Sequence, residues 1–89
     1  MTTAKRVIYS GQVQGVSFRY TARRLAEGFP VTGYVRNLPG GGVELVAQGE
    51  PGAVDSFLAA VAGRMAEYIG KSTVTEETPG SYRGFDIRY

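Results

Sequence analysis

The sequence predicts an α+β fold with the order β-α-β-β-α-β and a short closing strand. Three observations carry that expectation: two stretches with the apolar spacing of amphipathic helices, separate stretches rich in β-branched and aromatic residues, and glycine or proline signals at the junctions.

Arg6 to Val13 holds Val7, Ile8, Tyr9 and Val13, punctuated by Gly11 and Gly15, and reads as a strand running into a tight loop. From Phe18, the residues Ala22, Leu25, Ala26 and Phe29 recur at helical spacing until Gly28 and Pro30 end the helix. Val31 to Asn37 is the second strand. Pro39-Gly40-Gly41-Gly42 turns the chain into Val43 to Gln48, where Val43, Leu45 and Ala47 share one face, so a β-hairpin is expected. Gly49-Glu50-Pro51-Gly52 opens a second helix, with Pro51 near its first turn and Val54, Phe57, Leu58, Val61 and Met65 forming its apolar stripe. Lys71 to Glu77 reads as a further strand. After Pro79-Gly80, Phe85, Ile87 and Tyr89 alternate as an edge-pairing segment. This order is the split βαβ, ferredoxin-like arrangement, with two helices on one face of an antiparallel sheet.

At 89 residues the chain is expected to form one domain spanning 1–89, since a chain of this size buries roughly 60 to 65% of its unfolded surface around one modest core. Hydrophobic residues at 43% and charged residues at 20% are ordinary for a globular protein and argue against disorder. The apolar run from Phe57 to Val61 is far short of the ~20 residues that a membrane span needs, and Met1 to Arg6 leads straight into a strand pattern. A cytoplasmic protein with no membrane association follows as the expectation. Met1 to Ala4 and Thr78 to Tyr82 are the candidate flexible segments.

The absences are chemically informative. With no cysteine and no histidine, the chain has no disulfide, no thiol nucleophile, no Ser-His-Asp triad and no ordinary zinc ligand set. A net charge of +2 is too small to point to a polyanion, but it leaves room for a small anionic ligand.

The stretch Gly11-Gln12-Val13-Gln14-Gly15-Val16-Ser17-Phe18-Arg19 joins a strand end, a glycine-bearing loop and a helix start. Such a loop can point successive backbone N–H groups inward beside the positive end of the helix dipole, forming an oxyanion site. Arg19 can add a guanidinium fork onto two phosphate oxygens. A cation in a first helical turn is disfavoured by the dipole, and a bound anion would resolve that conflict. The plainer reading is that Gly11 and Gly15 permit a turn and Arg19 is solvated. In Gly33-Tyr34-Val35-Arg36-Asn37, Asn37 shares a face with Val35 and Gly33, and on spacing alone it is best read as a cap on the hairpin turn.

Taken together, these two blocks resemble the paired signature of the acylphosphatase family, and the likeness extends over the whole chain. Gly49-Glu50 and the closing Gly84-Phe85-Asp86-Ile87-Arg88-Tyr89 also resemble its small single-domain members. The departures are slight: Ser17 stands at a variable position, and Tyr34 stands where a tryptophan is frequent. The resemblance implies that Arg19 binds phosphate, that the backbone amides of Gln14, Gly15, Val16, Ser17 and Phe18 complete the cradle, and that Asn37 orients a water. It implies an acylphosphatase acting on acyl phosphates, with no metal and no cofactor. The implied partners are a small-molecule acyl phosphate or inorganic phosphate; no nucleic acid and no membrane partner is expected, and a monomer is expected. Two rivals stand beside it: a non-enzymatic phosphate-binding or partner-docking module of the same fold, and an RNA binder stacking bases on Tyr9 and Tyr34.

Overall fold

The computed structural model describes residues Met1–Tyr89. Its elements are β1 (Thr3–Gly11), α1 (Phe18–Ala26), β2 (Thr32–Asn37), β3 (Val43–Gly49), α2 (Pro51–Arg64), β4 (Ile69–Glu77) and β5 (Phe85–Arg88). They build one five-stranded sheet in the order β4-β1-β3-β2-β5. Both helices pack on one face, with α1 over β2 and β5 and α2 over β3 and β1. This is the expected ferredoxin-like α+β fold.

The sheet is mixed rather than wholly antiparallel. β4, β1, β3 and β2 alternate in direction, whereas β5 lies parallel to β2. The cause is connectivity: the chain leaves β4 at one edge and crosses to the other, where Gly33 N–H bonds to Gly84 C=O at 3.0 Å and starts the parallel pairing. Gly33 must be glycine. Its φ is 139°, and a Cβ there would run into the carbonyl of Val46.

Strand alternation sorts the core. Val7, Tyr9, Val35, Val43, Leu45 and Ala47 face the helices and are buried, meeting Phe18, Ala22 and Ala26 of α1 and Val54, Phe57 and Val61 of α2. A side chain such as Phe57 or Leu45 contributes about 1.5–3 kcal/mol by this burial. Phe57 also meets the ring of Phe29 at 5.9 Å and that of Phe85 at 5.2 Å, which ties α2 to the end of the α1 segment and to β5.

Both ends of β1 differ from expectation. β1 begins at Thr3, because Thr3 and Ala4 pair with Gly49 and Gln48 of β3, and Ala4 also pairs with Glu77 of β4. A strand flanked on both sides is held where a free terminus would fray. β1 then ends at Gly11 rather than Val13, at an irregularity after Ser10, and Gln12 N–H turns to Tyr68 C=O at 3.0 Å. Val13, freed from the ladder, is fully buried in the loop.

On the opposite face of the sheet Glu44 is 2% exposed, the one buried charged residue of the chain. Its two oxygens accept hydrogen bonds of 2.6 Å from Arg6 Nε and Arg36 Nε, and Tyr34 donates another at 3.1 Å. Burial pushes the Glu44 carboxyl up, but the bonds from Arg6, Arg36 and Tyr34 outweigh it and leave the group below its ordinary value.

Candidate active site

β1 and β2 each pair antiparallel with β3, which lies between them, so they run parallel to one another and finish at the same end of the sheet. Val43 marks the level: it is the partner of Tyr9 on one side and of Asn37 on the other. The loop after β1 and the end of β2 therefore meet, a proximity that strand spacing does not reveal.

The loop geometry exposes its amides. Gly15 has φ 79° and Ser17 has φ 61°, both left-handed. Glycine takes this conformation freely, while for a serine it costs about 1–2 kcal/mol, a strain typical of functional loops. Ser17 is the N-cap of α1, yet its side chain makes no capping bond and no acidic residue stands in the first turn. The Ser17 carbonyl accepts from Thr21 N–H at 3.0 Å, but no N–H from Gly15 to Tyr20 donates to a protein acceptor. The result is a row of free donors at the positive end of a helix.

Arg19, half-buried in the first turn of α1, has no carboxylate partner. Its guanidinium rests 4.8 Å from the ring centroid of Tyr89. A pocket of about 240 Å³ opens here, lined by Val13, Gly15, Ser17, Phe18, Arg19, Tyr20 and Asn37. None of these is acidic, so the polar groups offered to whatever enters are backbone N–H groups, one cation, one carboxamide and the hydroxyls of Ser17 and Tyr20. No group of three or more Asp and Glu side chains converges anywhere in the fold to hold a cation.

The pocket thus gathers Gly15, Ser17, Phe18, Arg19 and Asn37 of the expected site. Gln14 and Val16 are not in its lining. Val16 packs against the core, and the Gln14 side chain is tied to the hairpin turn. Its Nε2 donates to the carbonyls of Leu38 at 2.8 Å and Gly42 at 2.7 Å, fastening the loop to the β2–β3 turn. The turn-capping role that spacing suggests for Asn37 is filled by Gln14, and the Asn37 side chain makes no hydrogen bond within the protein.

Sequence reasoning missed Val13, Tyr20 and Tyr89. Only the position of Tyr20 next to Arg19 could have signalled it. The base-stacking reading weighed for Tyr9 fails on placement: Tyr9 is 2% exposed, lies 4.9 Å from the Phe18 ring, and burial pushes its phenol pKa up. Tyr34 does lie on the open face, but Arg88 covers its ring at 4.0 Å.

Comparison with known proteins adds an independent line. The family model described as Acylphosphatase matches residues 5–87. An acylphosphatase of Rubrobacter xylanophilus is 44% identical over 89 residues, covering 98% of this chain and 81% of that protein. One of Thermotoga petrophila is 41% identical over 87 residues, 97% of each chain. The crystal structure of the acylphosphatase from Bacillus subtilis superposes over 100% of both chains with a TM-score of 0.87 at 33% identity.

Proposed function

The chain belongs to the acylphosphatase family and hydrolyses the carboxyl–phosphate bond of acyl phosphates, and from that premise we propose that the Gly15–Arg19 loop grips the phosphoryl group while Asn37 aims the water. The observation that carries this reading is the joint lining of one pocket by Arg19, Asn37 and the amide-bearing loop.

The substrate's leaving group is a carboxylate, stable as an anion without a proton. Hydrolysis therefore demands position and charge stabilisation more than acid catalysis. The free N–H groups and the Arg19 fork hold the non-bridging oxygens, where charge sits in a loose phosphoryl-transfer transition state. The Asn37 side-chain oxygen accepts a hydrogen bond from a water and directs its lone pair at phosphorus. A new O–P bond forms as the P–O bond to the carboxylate breaks, giving carboxylate and inorganic phosphate. Asn37 is no base at neutral pH, so the water's proton leaves late or passes to a phosphoryl oxygen. No covalent intermediate is invoked, because neither Ser10 nor Ser17 has a base beside it in the chain.

Residues 1–89 act in this reading as a single domain and as a monomer, with inorganic phosphate as product and competing ligand. The radius of gyration of 11.7 Å supports one compact unit, against about 12 Å expected at this length. No helix is long and apolar enough to cross a membrane, and the cytoplasm is the compartment we assign.

The test is turnover of benzoyl phosphate by the parent, Arg19→Ala and Asn37→Ala, with inorganic phosphate as competitor. Loss in both variants, with phosphate inhibition lost only in Arg19→Ala, is the expected pattern. An Arg19→Ala protein as fast as the parent would sink the assignment.

A further inference from the structure

The large apolar side chains left exposed by the fold are Met1, Tyr20, Val74 and Tyr89. Tyr20 and Tyr89 stand together at the mouth of the site. Tyr20 follows Arg19 and lines the pocket while 59% exposed. Tyr89 follows β5, whose register pairs Arg36 with Arg88, so one further residue brings Tyr89 level with Asn37. Alternation from Phe85 and Ile87 also points it to the helix side, the side of Asn37. Its ring lies against the Arg19 guanidinium. The neighbouring Tyr20 hydroxyl holds the Tyr89 phenol above its ordinary value, with Arg19 acting in the opposite direction.

An exposed aromatic by itself needs no explanation, but two that flank one unpaired arginine beside a charged pocket do. The pocket, at about 240 Å³, falls just below the range of sites for drug-sized ligands, which suits a phosphoryl group joined to a compact organic group. Its remaining polar wall is committed to the phosphate. What Tyr20 and Tyr89 add is ring surface, which favours other rings through offset or edge-to-face contact.

We propose that Tyr20 and Tyr89 form the acyl subsite, an aromatic wall that selects acyl phosphates with an aromatic acyl group over acetyl phosphate. This rests on the phosphoryl grip assigned above to Arg19 and the loop. Tyr89 has two duties in this arrangement, since the same ring that meets the acyl group also holds the Arg19 fork in place.

The experiment measures kcat/KM for benzoyl phosphate and acetyl phosphate in the parent, Tyr20→Phe, Tyr20→Ala and Tyr89→Ala. Comparing the benzoyl-to-acetyl ratio between proteins cancels the intrinsic reactivity of the two substrates. The ratio is expected to fall roughly two- to tenfold in Tyr20→Ala and in Tyr89→Ala, and to stay near the parent value in Tyr20→Phe, which keeps the ring. An unchanged ratio in both alanine variants overturns the subsite and leaves the phosphoryl grip standing. A parent that hydrolyses neither substrate removes both readings.

Discussion

Arginines on the two sides of this sheet have opposite fates. On the open face, Arg6 and Arg36 converge on the buried Glu44, each with its Nε at 2.6 Å from a carboxylate oxygen, and Arg88 lies over the Tyr34 ring. On the helix side, Arg19 meets the Tyr89 ring and belongs to a run of residues whose backbone N–H groups have no acceptor in the protein. The first cluster is closed: its charges answer one another and knit β1, β2 and β3 together. The second is open, with positive groups placed where only an external anion can answer them. Identical side chains are structural or receptive according to whether the fold supplies a carboxylate.

That contrast is broken most sharply at Arg19. Arg19→Lys keeps the charge but loses the planar fork, and kcat/KM for benzoyl phosphate is expected to fall about 10³-fold. A lysine variant within threefold of the parent would show that charge alone suffices. Asn37→Ala comes next: the proposed water-orienting role requires kcat lower by about 10² with inhibition by inorganic phosphate kept within threefold.

On the closed side, Glu44→Ala is expected to leave kcat unchanged and to destabilise the fold by about 1–3 kcal/mol in urea unfolding. The value stays modest because Arg6 and Arg36 are more than a third exposed and can turn to water. The pH dependence follows from the depressed Glu44 carboxyl. Its contribution is fully present above the unfolded value near 4.5 and is lost as pH falls through the lower folded value. Urea midpoints between pH 6 and pH 3 should therefore drop more steeply in the parent than in Glu44→Gln. Within the open site the smallest expected effect is at Gln14, which joins it to the hairpin. Gln14→Leu should lower kcat about tenfold with less change in KM, and equal loss of both would place Gln14 in the phosphate contact instead.

Much of the fold is legible in the sequence. The alternation of Val43, Leu45 and Ala47 and the helical spacing of Phe18, Ala22 and Ala26 each report a local geometry, and all these residues are buried. Arg19 is legible for a related reason: a cation in a first helical turn, with no acid beside it, is a local contradiction visible in the residue order. The ends of β1 are not legible. Thr3 and Ala4 are ordered by strands that arrive from residues 48 to 49 and 76 to 77, and no nearest-neighbour pattern encodes such distant partners.

Asn37 shows where sequence reading stops. Local preference makes asparagine a turn cap, and that inference fails because Gln14, distant in the chain, reaches the turn's carbonyls instead. The parallel direction of β5, which carries Tyr89 to the site, likewise depends on where the chain crosses from one sheet edge to the other.

The sequence by itself determined the periods of its helices and strands, the glycines its turns require, the chemistry ruled out by the absence of cysteine and histidine, and an arginine without a local partner. The tertiary structure alone decided that β3 lies between β1 and β2, which brings the loop, Asn37 and Tyr89 to one end of the sheet. The reason is physical: backbone conformation and side-chain alternation act over a few residues, whereas strand order is selected by burying both helices against one shared face.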